Sequence, residues 1–370
     1  MSLYQIEPID RSYSDKMLEI LHSAPINTDK ITICFDRQPD FFRLSDIKYH
    51  PYFCYGFFRL NQLKGFGMIG YHSAMVNGSQ ETVFHLKDFY VSPEARGTGF
   101  VLKVSEKLFR ETYNNSTIGY AVVMKGNRDP LSYVDHRNPS FPYIPYSRII
   151  NQLDVRNIIL TWPVRYTRKY IIRRAEKSDI PVIVNLLNNE HKERLFGNHY
   201  DIATFDKYLS ERPGLSIDDY YLAFGRNGSP CGVCAAWDCS SFRQTRVLRY
   251  GKQFLAAKIL YRILSVLFRL APLPAPGECF KDFIVTDYAV EGRDPDIMNA
   301  LLRAVYNKYR KKGYQNMIWS SSADDPLLKA SDGFFFQRLI SNIVLISTDP
   351  ATIEKGEILN KLPYIDLPCL

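Results

Sequence analysis

Residues 88–109 read DFYVSPEARGTGFVLKVSEKLF, and this stretch decides the fold. A strand pattern ends at Val91, a turn holds Pro93, and an amphipathic helix follows over about 99–113. Between them stand Arg96, Gly97, Thr98 and Gly99. A glycine-rich passage from strand to helix leaves backbone N–H groups unpaired at a helix N-terminus, which is an anion site. Glycine admits unusual backbone angles and lets phosphate oxygens come close. Arg96 adds charge-assisted bonds to the same oxygens. A dinucleotide fingerprint needs a third glycine at 102, where Leu102 stands, and a Walker-type loop needs Gly-Lys-Ser/Thr, which is absent.

Working outward, the chain reads as one pattern written twice. In the first half a short strand at 3–8 precedes a helix from Ser14 or Asp15, then a hairpin with strands near 53–60 and 65–76. The strand TVFHLKDFYV (82–91), the helix at 99–113 and the strand TIGYAVVMK (117–125) complete it. The second half repeats this order. A strand at 170–174 leads to a helix capped by Ser178-Asp179 with Pro181 in its first turn. A hairpin turning at Asn227-Gly228, the strand CFKDFIVTDYAV (279–290), a helix at about 295–312 and the strand YQNMIWSS (314–321) follow. Both halves read β-α-β-β-β-α-β, and the second carries an insertion at about 240–278. The irregular basic stretch WPVRYTRKY sets the boundary, with domains at 1–165 and 166–370.

Composition bounds the function. The 370 residues are 46% hydrophobic and 23% charged, which is globular and neither disordered nor polytopic. The formal charge of +8 suits an anionic cofactor and falls short of a dedicated nucleic-acid binder, so DNA is excluded and RNA is disfavoured. Seven scattered cysteines and an N-terminus without an apolar leader point to a reducing cytoplasm. Cys231-x-x-Cys234 with Cys239 supplies one pair where a structural zinc site wants two, so buried thiols and no metal are expected. Residues 252–270, KQFLAAKILYRILSVLFRL, are too interrupted by Lys252, Lys258, Arg262 and Arg269 to span a bilayer. They read either as a helix packed on its own domain or as a basic amphipathic helix at a membrane or partner surface.

VSPEARGTGF resembles the pyrophosphate-binding loop of the GNAT superfamily of acyl-CoA-dependent N-acyltransferases, whose form is Val-x-Pro-x-x-Arg-Gly-x-Gly-x-Gly/Ala. Val91, Pro93, Arg96, Gly97 and Gly99 match, and Val101 departs from the usual Gly or Ala. The order of elements fits the same superfamily across nearly the whole chain. FDRQPDFFR (35–43) is similar to a stretch in its tandem members. The resemblance implies an α+β fold of two tandem GNAT-like domains, each a mixed, mostly antiparallel sheet flanked by helices. It implies acetyl-CoA, or another acyl-CoA, as co-substrate, with an amine-bearing small molecule or peptide as acceptor. Its cofactor contacts would be Tyr90, Val91, Arg96, Gly97, Thr98, Gly99, Phe100, Val101 and Asn127, with a backbone donor for the thioester carbonyl near Tyr90 or Val91.

Acyl transfer to an amine needs the thioester beside the nucleophile, a base, an oxyanion donor and an acid for the thiolate. His85, near where family members place a catalytic Glu, is one candidate base; a satisfied sheet histidine is the other reading. Glu81 and Asp88 are alternatives, and strand alternation puts Asp88 on the face opposite His85. Tyr133 is the candidate acid, one position early relative to the family pattern after Asn127, with Tyr143 and Tyr146 as fallbacks.

The second half has Glu291-Gly292-Arg293-Asp294-Pro295-Asp296 in place of the loop, and these acids repel a pyrophosphate. Lys329 stands at its usual tyrosine position. This half therefore reads as a non-catalytic partner domain. Basic clusters at Arg165/Arg168/Lys169/Arg173/Arg174, Arg243/Arg246/Arg249/Lys252 and Lys308/Arg310/Lys311/Lys312 read as solvated faces or as RNA contacts. An aminoacyl-tRNA-dependent transferase and an acyl-CoA-binding module without turnover are the alternatives to an acetyltransferase.

Overall fold

The structure is a computed structural model that describes residues 4–27, 31–112, 117–127, 134, 143–252, 258, 259, 261–263, 265 and 270–370. The first half contains β1 (Gln5–Pro8), α1 (Ser14–His22), β2 (Ile26–Asn27), β3 (Ile31–Asp36), α2 (Arg43–Lys48), β4 (Tyr52–Arg59), β5 (Gln62–Val76), β6 (Ser79–Val91), α3 (Phe100–Thr112), β7 (Ile118–Met124) and β8 (Tyr146–Ile159). In the second half, β9 (Ile171–Arg174) is followed by a helix over Ile180–Lys192, then β10 (Tyr220–Phe224), β11 (Pro230–Trp237), β12 (Gln244–Tyr250) and β13 (Asp282–Val290). A helix over Pro295–Lys311 leads to β14 (Asn316–Ser322) and β15 (Phe336–Ser347).

Twelve strands form one sheet in the order β1-β4-β5-β6-β7-β15-β8-β14-β13-β11-β10-β9. Pairing is antiparallel except at β6–β7 and β13–β14, where a crossover helix brings the chain back parallel. The mixed, mostly antiparallel sheet and its flanking helices match the expected class. The long last strand of each half, β8 and β15, is an addition to the expected order. β15 pairs with β7 on one side and β8 on the other, and β8 in turn pairs with β14. The halves thus exchange their final strands and share a continuous sheet.

Helix α3 covers one face of the first half, packing Phe100, Val104, Leu108 and Phe109 against Tyr55, Phe57, Ile69 and Phe84. The opposite face is covered by α1, whose Met17, Leu18 and Leu21 meet Phe66 and Met68. Each such side chain contributes roughly 1.5–3 kcal/mol by leaving water. The insertion at 240–278 supplies β12, which pairs with β3 in a second, three-stranded sheet and ties the halves together. An Arg246–Asp36 ion pair at 2.6 Å reinforces that seam.

Two irregularities position the site. β6 and β7 are hydrogen-bonded only at Phe84↔Gly119 and His85↔Tyr120, and then diverge. Their contact requires glycine at 119, because a Cβ there would stand 2.3 Å from Phe84. The second is a bulge at Asp88, whose φ of 56° accompanies a register shift opposite Phe66–Met68. Asp287 on β13 repeats it, with φ 44° and a register shift opposite Val233–Ala235.

Candidate functional site

The loop after β6 has the form the sequence implied. Gly97 and Gly99 take φ of 74° and 73°, a left-handed geometry that glycine adopts without strain, and a Cβ on Gly97 would meet nothing within 4 Å. The Thr98 hydroxyl donates to the Ala95 carbonyl at 2.8 Å, and the Lys103 ammonium donates to the Thr98 carbonyl at 2.7 Å. Arg96 is exposed, Phe100 is buried, and Val101 packs at the edge of the α3 core. No acid stands in the first turn of α3, so its N-terminal N–H groups and positive dipole end face outward uncompensated. Lys103 is a cation of this cradle that the sequence motif does not mark.

The corresponding loop of the second half is closed electrostatically. Gly292 and Arg293 are left-handed, but the Asp294 carboxylate caps the following helix by accepting from the Asp296 N–H at 2.8 Å. Asp296 adds a second acid in that first turn. A cleft of about 460 Å³ beside this loop is lined by Glu190, Glu193, Gly292, Arg293, Asn360, Lys361 and Leu362. Its Arg293 is already paired with Glu190 at 3.3 Å, so it offers an anion little free positive charge.

The diverging strands differ in the same sense. Along β13 every residue is buried, and the Tyr288 hydroxyl bridges to β14 at the Ser320 carbonyl (3.0 Å). In the first half Leu86, Phe89, Tyr90 and Val91 on β6, and Ala121–Met124 on β7, are only half-buried. This edge is open and largely apolar among the described residues. The Ser92 N–H donates to the Lys64 carbonyl on β5 at 2.8 Å. Alternation along the strand then turns the Val91 N–H toward the open edge and the Tyr90 N–H toward β5. Asn127 is exposed in the turn after β7.

The candidate acid–base residues lie in a different setting from the expected one. His85 is 2% exposed. Its Nδ1 is 2.7 Å from the Tyr49 hydroxyl, and its ring stacks on Tyr120 at 4.4 Å. Burial first, then the Lys87 and Lys48 cations, hold its pKa well below the usual imidazole value, so it is neutral. Asp88 does not face away from His85. The bulge inserts one residue and returns Asp88 to the face of Lys87, whose ammonium is 3.2 Å from Asp88 and 4.7 Å from the Tyr49 ring. Burial opposes the charge on Asp88, but Arg37 and Lys87 outweigh it and hold the carboxyl below the usual range. It is a fixed anion and a weak proton acceptor. Burial lowers the Lys87 pKa to about 8. Glu81 is exposed at the far end of β6, and Tyr143 is exposed beside Arg110. Tyr146 starts β8, and Tyr133 lies outside the described residues.

Sequence reasoning gave no site role to Arg37, Lys48, Lys87 and Tyr120, which gather on this face with Tyr49 and Arg243. Arg37 sits inside FDRQPDFFR, a stretch noticed only by resemblance. The others carry no local pattern. Cys231, Cys234 and Cys239 are buried free thiols. Among the described residues no group of three or more His, Cys, Asp or Glu is placed to hold a metal ion, and no helix is long and apolar enough to cross a membrane.

No protein-family model and no curated protein matches the chain. Solved structures do. Saccharomyces cerevisiae N-myristoyltransferase with bound myristoyl-CoA superposes with a TM-score of 0.56 at 11% identity, over 94% of this chain and 79% of that one. A GCN5-related N-acetyltransferase from Sphaerobacter thermophilus gives 0.52 at 12% identity, over 80% and 81%. Another from Anabaena variabilis gives 0.50 at 10% identity, over 94% and 73%. The fold is a tandem GNAT fold. Within it the two GNAT units keep the same strand order and bulge. They differ in that Asp294 caps the second helix and Tyr288 bridges β13 to β14, and among the described residues the first unit has no acid in the first turn of α3.

Proposed function

We propose that the chain is an acyl-CoA-dependent N-acyltransferase whose chemistry lies in the first unit, residues 1–165, with residues 166–370 as a partner unit that holds no donor. The observation that carries this is the contrast at the two helix N-termini. The α3 end has two left-handed glycines, Arg96 and Lys103 and no acid, whereas the second is capped by Asp294. A pyrophosphate matches the first and is repelled by the second.

The donor's diphosphate binds the N–H groups of Gly97–Val101, with Arg96 and Lys103 adding charge. Its pantetheine arm runs along the open edge between β6 and β7, replacing the missing strand hydrogen bonds. The thioester carbonyl accepts from the Val91 N–H, which stabilises the oxyanion as the tetrahedral intermediate forms. The acceptor is a primary amine that must lose a proton before attack. His85, neutral and hydrogen-bonded to Tyr49, is assigned as proton acceptor, a weak one because burial holds its pKa down. Tyr133 is assigned as the donor to the departing thiolate, and Asp88 as the anchor of Arg37. Seven free thiols support a reducing compartment. Acetyl-CoA is the donor proposed first, and the apolar lining of the open edge also accommodates longer acyl chains.

Calorimetry with acetyl-CoA, and with desulfo-CoA as an unreactive mimic, tests the reading. One site per chain, lost in Gly99→Glu, is expected; two sites, or binding that survives Gly99→Glu, overturn it. A second reading, acyl-CoA binding without turnover, is favoured by the burial of His85 and the pinning of Asp88. Donor binding without thiol release across a broad amine panel selects it.

A further inference from the structure

We infer that the second unit carries a docking face for an anionic phospholipid surface, built where the inter-unit stretch 160–166 meets the helix Pro295–Lys311 and the helical residues 258, 259 and 261–263. This is independent of where the chemistry lies. The placement follows from hydrogen bonds. The Tyr306 hydroxyl accepts from the Thr161 N–H (2.7 Å) and donates to the Trp162 carbonyl (3.2 Å), laying Trp162 on that helix. Gln315 holds the Pro272 carbonyl, and Tyr261 donates to the Ala271 carbonyl at 2.9 Å. The helical residues 258, 259, 261–263 and 265 are thereby brought to the C-terminal end of the same helix.

Three large apolar side chains stand out of this face: Trp162 (59% exposed), Ile259 (64%) and Ile263 (54%). Ile259 and Ile263 are one helical turn apart and share a side. Arg165, Arg262, Lys308, Lys311 and Lys312 are exposed around them, and none has a carboxylate within ion-pair distance among the described residues. Exposed apolar anchors ringed by unpaired cations match the acyl boundary and the anionic headgroups of a bilayer. RNA would use the cations and aromatic rings but offers nothing to the two isoleucines.

The test is flotation of the full chain with vesicles of phosphatidylcholine alone and with about 30% phosphatidylserine. Binding to the anionic vesicles is expected, at least roughly tenfold above neutral ones. Lys311→Glu/Lys312→Glu is expected to weaken it about 30-fold, and more salt to weaken it further. Trp162→Ser and Ile259→Ser/Ile263→Ser are each expected to weaken it with melting temperature unchanged. The inference is overturned by no binding to anionic vesicles, or by equal binding to neutral ones. It is equally overturned by apolar variants that bind as the parent does, or by an RNA oligomer binding through the cations while vesicles do not.

Discussion

Arg37 closes a two-armed ion pair on Asp88, with Nη1–Oδ2 at 2.8 Å and Nη2–Oδ1 at 2.6 Å, and neither side chain is more than 5% exposed. It clamps the segment after β3 onto the bulge of β6, beside the open edge. Removing one partner leaves a buried charge unpaired. Arg37→Met or Asp88→Asn is therefore expected to cost about 3–5 kcal/mol, and the double variant less than the sum of the two. Urea denaturation measures this; strict additivity contradicts the pairing.

Gly99→Glu places a carboxylate at the uncompensated end of α3 and strains a left-handed position. Donor affinity is expected to fall by at least about 100-fold, with stability lowered by about 1–2 kcal/mol. Gly292→Glu, at a left-handed position in the second unit's loop, is expected to leave donor affinity unchanged. Titration calorimetry on both variants separates the two loops.

Ala121→Phe fills the edge between β6 and β7 from a half-buried position. Donor binding is expected to be lost while the melting temperature stays within a few degrees, about the shift of 1 kcal/mol or less. Retained binding would mean that the donor does not run along this edge.

His72 and His85 titrate well below the ordinary imidazole value, and His191 is lowered to about 3, in each case first because of burial. The unfolded chain binds their protons near pH 6.5 while the native protein does not. Stability is thus fully present above that value and is lost as pH falls toward the folded values. The slope is up to about 1.4 kcal/mol per pH unit per group, or about 4 for all three. Asp282 works the other way. Burial raises it to about 7, so its contribution is present below the unfolded carboxylate value and lost as pH rises through 7. A net loss of stability from pH 7 to pH 5 is expected in urea titrations, steeper in Asp282→Asn. A flat profile would falsify the assignment of buried neutral imidazoles.

Residues 1–165 expressed alone lack β15, which separates β7 from β8 in the sheet. This fragment is expected to be aggregation-prone and without a cooperative transition, and co-expression with 166–370 to restore one. A folded, monomeric fragment by near-UV circular dichroism and sedimentation would show that the exchanged strand is dispensable.

Much of the molecule was legible in local patterns. The strand–loop–helix at 88–109 was expected at 82–91 and 99–113 and is found at 79–91 and 100–112. Both crossover helices and both hairpins follow their apolar periodicity in the same way. The cradle was legible because glycine spacing and Arg96 are adjacent in sequence. The acid–base setting was not. A single left-handed residue, Asp88, reversed the face that alternation assigned to it. The partners of His85 come from α2 and its exit, from β7 and from β6 itself.

The sequence by itself determined the shared β-α-β-β-β-α-β frame of the two units and the anion loop of the first, because each element rests on residues close together in the chain. Only the tertiary structure decided that β8 and β15 change places, that the second strand opening is sealed by Tyr288, and that Arg37, Lys48 and Lys87 gather around Asp88 and His85. These depend on pairings between distant segments. They are held by the pairing of buried charges and the closing of a shared sheet, and neither leaves a period in the chain.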